Sequence, residues 1–220
     1  MKIIGVNGSP RKSWNTAVLV MKALEGAAAT GATTELFHLY DIDFKGCRSC
    51  FACKTIGGRS YGLCNVKDGL LPVLKKIADA DALVIGSPIY LGSVTGEIRS
   101  FLERLLYPFL AYTLPIGTLF PKKMATAFIY SMNSSEEQSR MRGYEYIFKN
   151  HEYYLGTILG SCESLCCFDT CQLDDYSKIL METYDPVKKA ERRKDVFPQD
   201  CHNAYELGKR LVLGLIAGGK

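Results

Sequence analysis

The 220-residue chain has no apolar run long enough to cross a bilayer, only one tryptophan and three histidines, and a charge balance that leaves a net of +4. Each shortage excludes something. A membrane-spanning helix needs ~20 consecutive apolar residues, so no membrane partner is expected. Nucleic-acid binders concentrate positive charge in a patch or stripe, and a mild +4 predicts no nucleic-acid partner. His38, His151 and His202 are scattered, and nothing pairs them with a nucleophile. The chain contains neither Gly-x-Gly-x-x-Gly nor a Walker-type Gly-x-x-x-x-Gly-Lys-Ser/Thr loop. A dinucleotide held by its pyrophosphate in the Rossmann manner is therefore not expected. The opening run "KIIGV" is far too short for a secretory leader, and a cytoplasmic location is the expectation.

Cysteine is the opposite case: there are nine, an odd number. In a reducing compartment they serve as thiols, metal ligands or redox groups rather than as structural disulfides. With 47% hydrophobic and 23% charged residues the composition is that of an ordinary globular protein. The expected organisation is a single domain over 1–220, with a cysteine-rich loop at 46–64 and a C-terminal extension from about 172 to 220.

Short continuous apolar runs alternate with segments of helical periodicity. Strands are expected at 2–7, 33–39, 82–88, 124–130 and near 162–170, and helices at about 15–29, 70–77, from Thr95, at 136–155 and from about Asn203 to Ile216. Asp185 and Pro186 mark the start of a short helix. The basic run "KKAERRK" at 188–194 reads as a solvated helix face, with an anion or partner patch as the alternative. Continuous apolar strands separated by helices imply an α/β fold, a doubly wound parallel five-stranded sheet of order 2-1-3-4-5 with helices on both faces. Ligands of such sheets lie beyond the carboxyl ends of the strands, so the loops after strands one, three and four are the ones to examine.

The first of these, "NGSPRKSWNT", leads into a helix opening near Asn15 or Thr16. A helix start offers free amides and a favourable dipole to an anion. Ser9, Asn15 and Thr16 add hydroxyl and amide groups, and Arg11 and Lys12 add charge; arginine can grip a phosphate through two parallel hydrogen bonds. The plainer alternative is a capped helix start with an exposed cation pair. In the second loop, Pro88, Ile89, Tyr90, Leu91 and Gly92 form an apolar and aromatic ledge beside exposed amides, suited to a flat heteroaromatic ring unless they simply pack the core. The third, "YSMNSS", brings Ser131 and Asn133 to the same end of the sheet. A phosphate, a polar chain and a flat ring together describe flavin mononucleotide.

"GSPRKSWNT" and "GSPIYLGSVTGEIRSFLER" resemble the two FMN-binding motifs of the NAD(P)H-dependent FMN reductase family, of which the iron–sulfur flavoproteins are one branch. The resemblance runs from Met1 to about Tyr130 and fades after Ser135. It implies a flavodoxin-like fold, bound FMN and a homodimer or homotetramer. It also implies that Ser9, Arg11, Asn15 and Thr16 hold the phosphate, while Pro88, Ile89, Tyr90, Leu91 and Gly92 line the ribityl chain and ring. Arg99 stands where the family pattern has lysine, and the charge is kept.

Cys47, Cys50, Cys53 and Cys64 are spaced C-x2-C-x2-C-x10-C, a strong metal signal. Iron–sulfur flavoproteins carry a compact motif at this place that binds a 4Fe–4S cluster, but with a fourth cysteine only a few residues on. Three readings stay open: a 4Fe–4S cluster, a cluster-free or redox-active thiol loop, and structural zinc. Cys162, Cys166, Cys167 and Cys171 read as core packing with strand alternation.

The resulting expectation is an oxidoreductase that passes electrons from NAD(P)H, a transient co-substrate, through FMN to a quinone, a flavin, a nitro or azo compound, or a redox partner. A hydride goes straight to the flavin, so no catalytic side chain is required. The alternative is a non-enzymatic electron carrier fed by a ferredoxin-like donor. The apolar stretch 107–121, with Tyr107, Phe109, Tyr112 and Phe120, is expected to pack at a subunit interface, or else on its own core.

Overall fold

The computed structural model describes residues 1–218. Five strands, β1 (Lys2–Asn7), β2 (Thr33–His38), β3 (Ala82–Tyr90), β4 (Met124–Ser131) and β5 (Gly160–Cys167), form the parallel sheet. Their order is β2-β1-β3-β4-β5, as the alternation of elements predicts. The connecting helices are α1 (Asn15–Ala29), α2 (Leu70–Asp79), α3 (Gly96–Leu106), α4 (Glu136–Met141) and α5 (Tyr144–Leu159). Two more, α6 (Pro186–Asp195) and α7 (Phe197–Gly218), follow the last strand.

Strand residues alternate between two cores. Ile4, Val6, Leu83, Ile85, Phe128 and Tyr130 meet α2, α3 and α5. Ile3, Val84, Ala127 and Ile129 meet α1 and α7. The α1–α7 packing is unusually close. A Cβ at Gly26 would lie 1.9 Å from the Tyr205 carbonyl oxygen, and one at Gly208 would lie 1.8 Å from that of Ala23. Only glycine on each helix lets the backbones approach so nearly.

Several boundaries differ from the sequence-based expectation. The helix expected over 136–155 is two, because Gly143 adopts a left-handed φ of 71° between α4 and α5. The final helix starts at Phe197, not Asn203. Cys162 and Cys166 pack on one face of β5 and Cys167 on the other, whereas Cys171 lies beyond the strand in the following loop. All nine cysteines are free thiols. The stretch 107–121 divides its side chains. A short antiparallel hairpin pairs Leu110–Ala111 with Gly117–Thr118, and Phe109 and Phe120 are buried edge to face at 4.8 Å. Tyr112 and Leu114 are left exposed.

The basic run is solvated on one side only, through Lys188, Glu191 and Lys194. Lys189 is 2% exposed, Arg192 pairs with Asp200 at 2.6 Å, and Arg193 lies against Trp14. The physical reason is that α6 crosses the carboxyl end of the sheet. The ammonium of Lys189 donates to the carbonyl of Asn133 at 2.8 Å and to the Asp169 carboxylate, which satisfies an otherwise costly buried charge.

Candidate functional site

The three loops singled out in the sequence converge, and hydrogen bonds tie them together. The Thr95 hydroxyl caps α3 and donates to the carbonyl of Gly8 at 2.8 Å, joining the second loop to the first. The hydroxyls of Thr16 and Ser131 are 2.7 Å apart, joining the first to the third. Gly8 earns its place by close approach: a Cβ there would meet Cγ1 of Ile98 at 2.0 Å. The turn itself is held by Asn7, whose amide accepts from the Ser9 N–H and donates to the Ser9 carbonyl, both at 3.1 Å. The Ser9 hydroxyl accepts from the Arg11 N–H at 3.2 Å.

Helix α1 begins after Trp14, and no side chain caps its first turn. Ser9, Asn15 and Thr16 are buried there, and Arg11 and Lys12 are exposed. Lys12 forms an ion pair with Asp41 at 2.7 Å. The Arg11 guanidinium donates to the carbonyl of Gln172 at 2.5 Å. The amide of Asn15 is engaged on both sides, donating to the carbonyl of Cys171 at 2.7 Å and accepting from Arg193 at 3.1 Å.

In the second loop Pro88 is buried, while Tyr90 and Leu91 stand out from the surface. Leu91 and Gly92 take φ of 49° and 80° at the tip of a two-residue hairpin closed by Tyr90 and Ser93, the left-handed pair such turns need. A leucine held there in the left-handed region, fully exposed, serves neither the core nor backbone ease. Ile89 is half-buried at the base of the same hairpin. In the third loop Ser131 is buried, and the Oδ1 of Asn133 is buried with no hydrogen-bond partner.

Sequence reasoning missed Trp14, Lys189 and Arg193. Trp14 donates its indole N–H to the carbonyl of Cys171 at 3.1 Å. The guanidinium carbons of Arg11 and Arg193 lie 4.9 and 4.3 Å from its ring centroid. The available signal was the four-residue spacing of Lys189 and Arg193 after the Asp185–Pro186 helix start, which puts both on one face.

The cysteine loop lies elsewhere. Cys47, Cys50, Cys53 and Cys64 all line one small cavity, with Arg104 and Tyr107. Arg104, 1% exposed, donates to the Cys64 sulfur at 2.9 Å, to the carbonyls of Lys45 and Val66, and through both nitrogens to Asp68 at 2.8 and 3.0 Å. That bond holds the Asp68 carboxyl below its ordinary range. The Ala52 amide draws the Cys50 thiol down, whereas burial pushes the Cys53 thiol up. Among the described residues no three His, Cys, Asp or Glu side chains stand close enough to share a metal ion. Lys54 pins this loop to the 107–121 hairpin through the carbonyls of Pro108 and Leu110.

His38 and His151 are structural. The Nδ1 of His38 lies 2.9 Å from the Asn7 amide, and that of His151 lies 3.0 Å from the Tyr130 hydroxyl. Burial lowers the pKa of His151 to about 4.

A sheet of this order, with its loops gathered at one end, defines a flavodoxin-like protein. The solved structures that it resembles agree. An NAD(P)H:quinone oxidoreductase from Methanothermobacter marburgensis superposes with a TM-score of 0.69 at 15% identity, covering 96% of each chain. An FMN-dependent NADH-azoreductase from Bacillus anthracis in complex with FMN does so at 0.65 and 14%, covering 96% of this chain and all of the other. At such identities the likeness is one of fold. The family is given by sequence: the NADPH-dependent FMN reductase family matches residues 1–139, and the chain belongs to it. Curated relatives include iron–sulfur flavoproteins of Methanocaldococcus jannaschii and Archaeoglobus fulgidus. They are 38% and 39% identical over 104 residues, which is 47% of this chain and 51% and 48% of theirs. The chain thus spans about half the length of these relatives.

Proposed function

We propose that the protein is an FMN-dependent oxidoreductase that takes electrons from NADH or NADPH and delivers them to a quinone, a flavin, a nitro or azo compound, or a redox partner. One observation carries the reading. Three hydrogen-bonded loops at the carboxyl end of the sheet join an uncapped helix start, an unpartnered buried acceptor at Asn133 and an exposed Tyr90–Leu91 ledge. These match, in turn, an anion, a hydroxyl donor and a flat apolar face, the three parts of FMN. Bound there, FMN would supply hydride acceptance and onward electron transfer.

Ser9, Arg11, Thr16 and the first-turn amides of α1 would hold the phosphate. Asn15 orients the loop through bonds to Cys171 and Arg193, and Lys12 balances Asp41 at its rim. Ser131 and Asn133 would face the polar chain, and Pro88, Ile89, Tyr90, Leu91 and Gly92 the ring. No side-chain proton donor is asked for, in keeping with the engagement of His38 and His151 in structural bonds. The exposed Tyr112 and Leu114 suit a subunit contact in a homodimer or homotetramer. Among the described residues no helix is long and apolar enough to cross a membrane.

The test is anaerobic: NADH or NADPH is added to the FMN-loaded protein and the flavin absorbance is followed. Rapid bleaching is expected. Indifference to both nucleotides, with bleaching by a reduced ferredoxin, would replace the enzyme by an electron carrier.

That second reading has its own observation, the four cysteines on one cavity wall. The donor set suits a 4Fe–4S cluster, but the sulfurs are not drawn in to shared-ligand distance. The thiol loop would have to close around the metal. Iron and sulfide counted per chain after anaerobic purification decide between a cluster and free thiols.

A further inference from the structure

The family match ends at residue 139, yet α6, some fifty residues later, is bonded into the first loop. Lys189 pins α6 to the ends of β4 and β5 through Asn133 and Asp169. One turn on, Arg193 reaches Asn15 at the start of α1 and lies against Trp14. Arg11 lies against the same indole.

The charge state of this group is unusual. Lys12, Lys189 and Arg192 each have a carboxylate partner, in Asp41, Asp169 and Asp200. Arg11 and Arg193 have no ion pair among the described residues, although the indole of Trp14 holds them near each other. Asp174 and Asp175 line the adjoining cleft with Arg193, but Asp175 is committed to Ser177 and Lys178. Two unneutralised guanidiniums repel, and a shared aromatic face offsets only part of that. Each spends one N–H on a protein oxygen, Arg11 on the Gln172 carbonyl and Arg193 on Asn15. A guanidinium has five N–H donors, so both retain free donors beside an uncapped helix start.

We propose that Arg193 is a phosphate-selecting residue. With Arg11 it forms a two-arginine clamp on the terminal phosphoryl group of FMN, and Trp14 and Asn15 hold it in position. The inference rests on the FMN reading above and adds to it that the segment after β5 completes the site. The anion is then bound from both sides of the α1 start, by a residue within the family match and by one outside it.

The test compares FMN with riboflavin, which lacks the phosphate. Full-length apoprotein is titrated with each, and quenching of flavin fluorescence gives the affinity. Wild type is expected to prefer FMN. Loss of one charge-assisted bond in Arg193→Gln should weaken FMN binding about tenfold and leave riboflavin unchanged. Lys194→Gln, next along the basic run, should change neither. Arg193→Lys, which keeps the charge without the planar fork, should recover part of the FMN preference. Circular dichroism checks that the glutamine variant is folded; if it is not, the lysine variant is expected to show a reduced FMN preference by itself. Equal weakening of both flavins would make Arg193 a mere prop of the loop, and unchanged FMN affinity would remove it from the site; either overturns the proposal. Wild type that binds neither flavin would instead sink the FMN reading itself.

Discussion

The loops that follow β1 and the β2 edge of the sheet are each organised around arginine, and they treat it in opposite ways. Arg104, under the cysteine loop, is 1% exposed and saturated: a carboxylate, two carbonyls and a sulfur take its N–H groups. Arg11, in the loop after β1, is exposed and among the described residues has one carbonyl partner and no carboxylate. A cation whose donors are all spent on the protein is a structural centre. One held in place with donors to spare is available to a ligand. The difference predicts that the first arginine matters for folding and the second for binding.

The largest effect should come from Arg104→Ala. Breaking a buried, hydrogen-bonded pair leaves Asp68 uncompensated and should cost about 3–5 kcal/mol of stability in urea unfolding. A loss below about 1 kcal/mol would show the cysteine loop to be self-supporting and erase the contrast.

Next comes the wall of the cleft beside that loop, where His151 is buried with a pKa lowered to about 4 from 6.5. The unfolded chain takes up this proton below pH ~6.5, while the folded one resists until about 4. Stability should therefore fall as pH drops through that window, by ~3 kcal/mol in total. His151→Asn should flatten this part of the profile, and an unchanged slope would mean that another group carries it.

Gly208→Ala sharpens the comparison from the side of α1, the helix that follows the first loop. Its new methyl meets the Ala23 carbonyl at 1.8 Å and should destabilise by about 1–3 kcal/mol through overpacking, read as a lowered midpoint. The cysteine loop should keep its thiol reactivity.

Smallest in stability is Arg11→Gln, within about 0.5 kcal/mol of wild type. FMN affinity should nevertheless drop roughly tenfold, the loss of one charge-assisted bond. If stability falls instead and affinity holds, the two arginines have exchanged the roles assigned here.

Much of this frame was legible in the residues. The continuous apolar runs of β1, β3 and β4 between helical segments dictate a parallel sheet covered on both sides, with the more polar β2 and β5 at its edges, and its strand order follows from the crossover rules. Convergence of the three candidate loops follows from the same topology, because all leave the carboxyl ends of strands. What was hidden depended on side chains meeting over long separations. Nothing local says that Lys189 is buried, since its partners, Asn133 and Asp169, lie 56 and 20 residues away. Charge density alone made the 188–194 run look solvated. The break at Gly143 was hidden for another reason: an isolated glycine is tolerated inside a helix, and only its left-handed φ of 71° divides this one. In the 107–121 stretch composition shows that apolar surface must be covered, but not that Phe109 and Phe120 would cover each other.

The reciprocal glycine crossing of α1 and α7 has a mechanical side. Where main chain bears on main chain, no rotamer change can absorb a displacement, and the two helices act as one stiff rod along the back of the sheet. A single residue, Val196, separates the end of α6 from the start of α7. The freedom of α6 to lift away from the first loop is thus concentrated at that joint, with Lys189 as the latch at its far end.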